Sequence, residues 1–355
     1  MQTQLIKLNP TDFAVSELQP AADIIRGGGL VVFPTETVYG IGGDATSPSS
    51  ARKIYAAKGR PSDNPLIIHI AAPDDAEKYA VTCPLYYKLA KHFMPGPITV
   101  IMPKKEIIPS DVTGGLDTVA VRCPLHPVAN ALIRMSGVPI AAPSANISGR
   151  PSATGAEYAL RDFDGRVECI IDGGDSAFGL ESTIVKITGD DSLILLRPGA
   201  VTYDALCCVC GSVTISEAVT RAIGENERPI CPGMKYRHYA PEKPLCLVGG
   251  SDGARLAFFR ERLAEGSTIV ICWSEQALEL GHENVIDIGS RLDLAAQGHN
   301  IFTALRRCDE MPGKRIYCDL PPTEGYGLAL YNRLIRAAAH TIVYADSEDG
   351  RQPES

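Results

Sequence analysis

The hydrophobic pattern of this 355-residue chain changes near residue 210, and the change separates two kinds of fold. Up to that point, short apolar strands are mixed with helical segments and with polar loops rich in glycine and proline. Such a mixture is typical of an α/β or α+β domain with a mixed sheet. Beyond residue 245, strands and helices alternate regularly. This alternation predicts a smaller α/β domain with a parallel sheet and helices on both faces.

Each predicted strand is a short apolar run bounded by turn residues. The predicted strands are 30–33, 66–70, 98–102, 118–122, 139–142, 169–172, 182–187 and 193–196, then 245–248, 269–272, 285–288 and 315–318. The predicted helices are 20–26, 47–57, 74–80, 85–92 and 127–135, then 254–263, 275–280, 292–309 and 328–339. Residues 211–244 have no strong periodicity and are predicted to be a linker or functional loop. The predicted divisions are a domain at 1–210, this linker, a domain at 245–345 and a polar tail at 346–355.

The composition is that of an ordinary globular protein, with 45% hydrophobic and 21% charged residues. No apolar run approaches the roughly 20 residues that span a bilayer, and the first ten residues lack a signal-peptide pattern, so we predict a cytoplasmic protein. The net charge of -8 argues against a large nucleic-acid-binding face, and tight tRNA binding is not expected.

The 11 cysteines are scattered and odd in number, which favours buried reduced thiols over a disulfide framework. One C-x-x-C pattern occurs, from Cys207 to Cys210, but no second pair accompanies it. The apolar face of a short helix explains this pattern better than a zinc site does. The chain also lacks the glycine-rich motifs of a P-loop or a dinucleotide-binding fold.

A stiff, basic loop runs from Lys58 to the strand at 66–70. Lys58 and Arg60 flank a glycine, prolines follow, and Asn64 and His69 add directional hydrogen-bonding groups. A fixed backbone with converging cations suits a phosphate or a carboxylate. The alternative is a solvated helix end, where lysine and arginine are common.

Polar side chains follow or precede several other buried strands, and ligands of open α/β sheets sit beyond strand ends. These residues are Thr35, Thr37, Arg122, Ser144, Asn146, Ser152, Ser182, Thr183 and Arg197. Four cations with many hydroxyl and amide groups favour an anionic, oxygen-rich ligand such as a nucleoside phosphate or an amino acid. Other interpretations stay open, because His69 also suits a core position and Ser144 and Asn146 also suit a turn. Glu181 is a weak candidate for a base, since a single carboxylate near glycines has little specificity.

Six motifs resemble the YrdC-like family in matching order over about the first 200 residues. They are Pro34-Thr-Glu-Thr-Val-Tyr-Gly40, Lys58-Gly-Arg-Pro61 with Asn64-Pro65-Leu66, Pro95-Gly-Pro-Ile-Thr99, Val119-Ala-Val-Arg122, Ala142-Pro-Ser-Ala-Asn146 and Leu196-Arg-Pro-Gly199. The segment Cys231-Pro-Gly-Met-Lys-Tyr-Arg-His-Tyr-Ala-Pro241 and the C-terminal domain resemble the long, two-domain form of this family. The resemblance implies a twisted, open catalytic domain with a concave cavity and a Rossmann-like C-terminal domain.

The resemblance also implies an ATP-dependent nucleotidyltransferase. L-threonine, bicarbonate or CO2, and ATP would give L-threonylcarbamoyladenylate and pyrophosphate. A partner enzyme would then transfer the threonylcarbamoyl group to an adenosine beside a tRNA anticodon. Mg2+ is expected with ATP, held mainly by phosphate oxygens and water, which explains why no protein metal motif is visible.

Roles for individual residues follow from the resemblance alone. The implied catalytic set is Lys58, Arg60, Ser144 and Asn146. The implied ATP contacts are these four residues with Asn64, Thr118, Ser152, Arg197 and Tyr236. The implied L-threonine contacts are Thr37, His69, Arg122, Ala142 and Ser182. Tyr236 lies in the predicted linker, which we interpret as a lid over the active site.

Two alternatives remain at the level of sequence. A carbamoyl-adenylate enzyme of hydrogenase maturation shares the YrdC-like domain, but such chains carry paired C-x-x-C motifs that this sequence lacks. A non-catalytic RNA-binding module would use the same cations, and the acidic net charge disfavours it.

Overall fold

The computed structural model describes residues 2–221, 231 and 238–347. The chain forms two compact units, one of Met1–Ser148 with Ser152–Tyr236, and one of Gly149–Pro151 with Arg237–Ser355. Each unit has a sheet and a hydrophobic core of its own. Among the described residues, no helix has the length and apolar character needed to cross a membrane.

The first unit contains the mixed secondary structure that the sequence predicts. Its strands are β1 (Gln4–Lys7), β2 (Val31–Phe33), β3 (Gly40–Asp44), β4 (Ile67–His69), β5 (Ile98–Pro103), β6 (Thr118–Arg122), β7 (Ile140–Ala141), β8 (Cys169–Asp172), β9 (Thr183–Gly189), β10 (Ser192–Arg197) and β11 (Ser212–Ile215). Its α-helices are α1 (Gln19–Arg26), α2 (Pro48–Lys58), α3 (Pro84–Phe93), α4 (Ser110–Thr113), α5 (Pro127–Ser136), α6 (Ala156–Phe163) and α7 (Tyr203–Cys207). Short 3₁₀ helices cover Val15–Leu18, Pro73–Lys78 and Glu217–Val219.

The described strands of this unit form one mixed sheet in the order β1-β8-β2-β3-β7-β4-β6-β5-β9-β10-β11. Strands β4 and β6 are parallel, and β5 runs antiparallel to β6. The central strands β2 and β4 are buried along their whole length. Continuous apolar runs of this kind are expected where both faces of a sheet are covered. The mixed α/β class predicted from the sequence is confirmed.

Helix α2 determines where the basic loop begins. The Ser47 hydroxyl accepts a hydrogen bond from the Ser50 backbone N–H, and Pro48 occupies the first turn. Gly59 ends the helix in the left-handed conformation, with φ of 62°. A residue without Cβ adopts this conformation without strain, so the chain turns directly after Lys58.

The second unit is a parallel α/β domain, as predicted. Its strands are β12 (Leu245–Gly249), β13 (Thr268–Cys272), β14 (Val285–Asp287), β15 (Arg315–Asp319) and β16 (Ile342–Tyr344). Its helices are α8 (Asp252–Ala264), α9 (Ser274–Leu280), α10 (Leu294–Glu310) and α11 (Gly327–Ala337). The sheet order is β14-β13-β15-β12-β16, and all the pairings are parallel.

Several elements differ from the sequence predictions. The strands and α-helices that have no counterpart among the predicted ranges are strands β1, β3, β11 and β16 and helices α4, α6 and α7. The helix predicted at 74–80 is a 3₁₀ helix at Pro73–Lys78. Strand β3 is rich in glycine, which disfavours strands on propensity alone. Its packing explains the composition, because a Cβ on Gly42 would lie 2.5 Å from Ile140 Cγ2. Strand β11 falls inside the predicted linker and pairs with β10, so the sheet extends past residue 210.

Candidate active site

Several predicted site residues meet at one end of four neighbouring strands. Val100 pairs with Val121, so β5 begins where β6 ends at Arg122. In the parallel pair β4–β6, His69 lies opposite Arg122. Strand β9 begins beside β5, and Ser182 immediately precedes it. The register therefore brings His69, Arg122 and Ser182 to one edge of the sheet.

The Lys58 ammonium is buried and held by the loop that follows β7. It donates a hydrogen bond of 2.5 Å to the Ser144 carbonyl and another to the Asn146 carbonyl. The Ser144 hydroxyl donates to Asn146 Oδ1 at 2.6 Å. These contacts unite three of the four predicted catalytic residues in one hydrogen-bonded group. An ammonium fixed in this way is placed to neutralise a phosphate that approaches the loop.

The fourth predicted catalytic residue, Arg60, is tied to its own loop. Its Nε donates to the Asn64 carbonyl at 3.3 Å and its Nη2 donates to the Pro65 carbonyl at 3.1 Å. The Asn64 side chain is buried, yet its amide nitrogen and oxygen have no hydrogen-bond partner among the described residues. A buried amide that lacks partners calls for a ligand or a water. The nucleotide contact of Asn64 stays a prediction.

A second cationic group forms around Ser182. Arg197 Nε donates to the Ser182 carbonyl at 3.0 Å and Arg197 Nη2 donates to its hydroxyl at 3.2 Å. The Ser182 hydroxyl also lies 2.7 Å from Thr99 Oγ1, at the start of β5. Both contacts orient the Arg197 guanidinium at the end of the strands where Arg122 also lies.

The threonines after β2 pack against Arg122. Thr35 Oγ1 lies 2.9 Å from Thr37 Oγ1, and Arg122 Nη2 donates to Thr35 Oγ1 at 3.5 Å. Arg122 Nη2 also forms an ion pair of 2.8 Å with Glu36 Oε1. All four side chains are buried, so the ion pair operates where water screens it little.

His69 is neutral at physiological pH. Burial, followed by the charge of Arg122, lowers the pKa of His69 to about 3. Its Nδ1 lies 3.3 Å from the Ile140 carbonyl, which accepts a hydrogen bond only from a protonated ring nitrogen. A neutral imidazole adds a directional contact to this site without adding positive charge.

Four predicted residues remain to be placed, and one of them lies outside the described part of the chain. Thr118 opens β6 while Arg122 closes it, which separates them by about 13 Å along the strand. Ser152 donates a hydrogen bond of 2.5 Å to Glu181 Oε1. Ala142 is buried after β7, and its N–H donates to the Ile67 carbonyl at 2.9 Å. Tyr236 lies outside the described residues, as do the other residues of 222–230 and 232–237 in the predicted linker.

Sequence reasoning missed two residues of this region, Glu36 and Thr99. Glu36 stands between Thr35 and Thr37, inside the motif that runs from Pro34 to Gly40. Its place in that motif is a sequence signal for a site residue. Thr99 is the last residue of the motif that begins at Pro95, but its contact with Ser182 joins residues far apart in the chain. No local pattern in a sequence indicates such a contact.

Comparison with known proteins covers both units. The Sua5_yciO_yrdC family model, described as "Telomere recombination", matches residues 23–199. A second model, described as "Threonylcarbamoyl-AMP synthase, C-terminal domain", matches residues 201–339. The threonylcarbamoyl-AMP synthase of Bacillus subtilis is 42% identical over 330 residues, which cover 92% of this chain and 94% of the relative. The chain belongs to the threonylcarbamoyl-AMP synthase family.

A relative and a solved structure from Pyrococcus abyssi extend this result. The threonylcarbamoyl-AMP synthase of Pyrococcus abyssi is also 42% identical, over 92% of this chain and 95% of the relative. The crystal structure of P. abyssi Sua5 complexed with L-threonine has a TM-score of 0.88 at 39% identity, and covers 97% of this chain and 99% of that chain. Membership of the threonylcarbamoyl-AMP synthase family confirms the two-domain form predicted from the motifs.

Proposed function

We propose that this chain is an L-threonylcarbamoyladenylate synthase, which converts L-threonine, bicarbonate and ATP into L-threonylcarbamoyl-AMP, pyrophosphate and water. With CO2 in place of bicarbonate, the same products form without the water. The observation that carries the proposal is the likeness of both units to threonylcarbamoyl-AMP synthases over nearly the whole chain. The first unit supplies matching chemistry, since it buries Lys58, Arg60, Arg122 and Arg197. Arg122 and Arg197 end strands, while Lys58 ends helix α2 and Arg60 follows it in the loop. Buried cations in these places suit a substrate pair that carries a triphosphate and a carboxylate.

The residues divide the work between the two substrates. Lys58, Arg60 and Arg197 offset phosphate charge while the carbamate oxygen attacks the α-phosphorus and pyrophosphate leaves. Positioning and charge neutralisation supply most of the catalysis in such a transfer. Arg122 pairs with the carboxylate of L-threonine. Burial of these groups also keeps water away from the carbamate, which is unstable in water.

Mg2+ enters with ATP in this proposal. Among the residues that the structure describes, no group of three or more His, Cys, Asp or Glu side chains is placed to hold a metal ion. In this proposal the phosphate oxygens and water are the main ligands of Mg2+, and the chain contributes positive charge beside them. The product would pass to a partner enzyme that modifies tRNA, in keeping with a cytoplasmic role.

Pyrophosphate release tests the function. We expect release from ATP and Mg2+ that requires both bicarbonate and L-threonine. Lys58→Ala is expected to lower this rate at least about a hundredfold, because it removes a fixed cation from the phosphate site. Lys53→Ala is the matched control, since Lys53 lies on the same helix with an exposed side chain. Its rate should stay within about twofold of the wild type.

Either of two results would contradict the proposal. The first is release that is indifferent to L-threonine, and the second is a Lys58→Ala rate equal to that of Lys53→Ala. Steeply salt-dependent tRNA binding without pyrophosphate release would instead identify an RNA-binding module.

A further inference from the structure

Glu36 is a buried carboxylate that none of the residue roles above explains. Its side chain is 6% exposed, and Glu36 Oε1 lies 2.8 Å from Arg122 Nη2. The geometry of this ion pair is not that of a hydrogen bond, and neither carboxyl oxygen has a hydrogen-bond partner among the described residues. A buried ionised group with unused acceptors is costly, so Glu36 calls for a functional or a structural reason.

The ion pair with Glu36 does not use all the N–H donors of Arg122. Its Nη2 faces both Glu36 and Thr35 Oγ1, while its Nε is buried and has no hydrogen-bond partner among the described residues. A guanidinium presents five N–H donors in a rigid fork. Glu36 therefore fixes one side of the fork and leaves another nitrogen available for an incoming carboxylate.

The charges of the pair match those of one kind of ligand. An amino acid at neutral pH carries a carboxylate and an ammonium close together. Arg122 offers the partner for the carboxylate. Glu36 offers the partner for the ammonium through Oε2, which has no hydrogen-bond partner among the described residues while Oε1 faces Arg122. The pair carries no net charge when both groups are ionised, so a zwitterion can enter without leaving an uncompensated charge buried.

A simple anion does not match this pair. It would satisfy Arg122 and leave the Glu36 carboxylate beside a second negative group. Like charges juxtaposed in a buried site repel each other strongly, which gives selectivity without any additional contact.

We propose that Glu36 positions Arg122 and makes the amino-acid site selective for a zwitterion over an anion of the same shape. This inference rests on the proposed function, because it assumes that L-threonine binds at Arg122. The predicted residue roles leave open which side chain binds the substrate ammonium. The inference assigns this contact to Glu36, which is already paired with Arg122.

Calorimetry on the full chain tests the inference with two ligands. L-Threonine is compared with (2S,3R)-2,3-dihydroxybutanoate, in which a hydroxyl replaces the ammonium and leaves a net negative charge. The measured quantity is the ratio of their dissociation constants. The wild type is expected to bind L-threonine at least about tenfold more tightly, the size typical of a charge-assisted hydrogen bond.

The Glu36→Gln variant keeps the shape and removes the charge. Its selectivity ratio is expected to fall at least about tenfold, because the site becomes cationic and accepts the anion. Glu36→Asp retains the charge and should keep most of the ratio, even where both affinities drop. Asp319→Asn is the matched control, since it makes the same carboxyl-to-amide replacement at a residue that is 2% exposed in the other unit. It should leave the ratio unchanged.

Two outcomes would overturn the inference while leaving the proposed function intact. One is a wild type that binds both ligands equally well. The other is a Glu36→Gln variant that weakens both ligands by the same factor, which would mean that Glu36 only maintains the local structure. A wild type that does not bind L-threonine at all would instead contradict the proposed function. The wild-type comparison keeps the inference testable even if Glu36→Gln fails to fold.

Discussion

Arg122 shows how the surroundings of one side chain set its chemistry. It ends β6, is 4% exposed and faces Glu36, Thr35 and the neighbouring strand that carries His69. Burial makes each of its contacts stronger than the same contact would be in water. Because the guanidinium is planar, its value to a carboxylate depends on orientation as well as on charge.

Arg122→Lys tests orientation separately from charge. We expect the KM for L-threonine to rise about tenfold or more while the KM for ATP changes less than about threefold, since lysine keeps the charge and loses the fork. The measurement is pyrophosphate release at varied concentrations of each substrate. Arg134→Lys, on the neighbouring helix α5, is the control and should leave both constants unchanged. Equal increases in both KM values would show that Arg122 does not belong to the threonine site specifically.

At the scale of secondary structure, the end of α2 positions the basic loop. Gly59 is left-handed, and the Lys58 carbonyl accepts a hydrogen bond of 2.9 Å from the Ser148 N–H. The direction of the Lys58 side chain depends on this turn, because the residue is the last one of the helix. A change in the turn should therefore affect catalysis as well as stability.

Gly59→Ala is expected to destabilise the chain by about 1 kcal/mol, because alanine is strained at φ of 62°. We also expect slower pyrophosphate release. Gly137→Ala is a closely matched control, since Gly137 ends α5 at φ of 69°, and a Cβ at either glycine would meet nothing within 4 Å. Thermal unfolding should show similar losses for the two variants, and only Gly59→Ala should lose activity. Equal activities of the two variants would show that the turn at Gly59 does not affect the phosphate site.

At the scale of the whole molecule, the second unit has an electrostatic feature of its own. Asp319 ends β15, is 2% exposed, and lies 3.6 Å from Arg255 Nε. Burial raises the pKa of Asp319 to about 7 despite the opposing charge of Arg255. The folded chain therefore holds this proton more tightly than the unfolded chain, in which an aspartate has a pKa near 4.

The sign of this shift predicts how stability depends on pH. The favourable contribution of protonated Asp319 is fully present below about pH 4 and is lost as the pH rises through about 7. Asp319→Asn does not titrate, so its melting temperature relative to the wild type should be higher at pH 8 than at pH 5.5. Thermal melts at both values measure this difference. Glu283→Gln, at an exposed position in the same unit, should show no such dependence, and an equally flat result for Asp319→Asn would refute the prediction.

The sequence determined the class of each unit and the residues from which the site is built. Apolar strands such as β2 and β12 are recognisable because their composition is local, and the Lys58–Pro61 and Ala142–Asn146 motifs are recognisable for the same reason. Strands β3 and β11 were not predictable, because glycine and polar residues form them only where a neighbouring strand provides the hydrogen bonds.

Only the tertiary structure decided which of these residues touch. It brings Thr99 to Ser182 and Glu36 to Arg122, and it lowers the pKa of His69 by surrounding it with apolar groups and a cation. These features depend on distances between segments far apart in the chain and on the exclusion of water. Residue type and spacing along a sequence contain neither kind of information. The residues of the site were therefore predictable from the sequence, and the contacts between them were not.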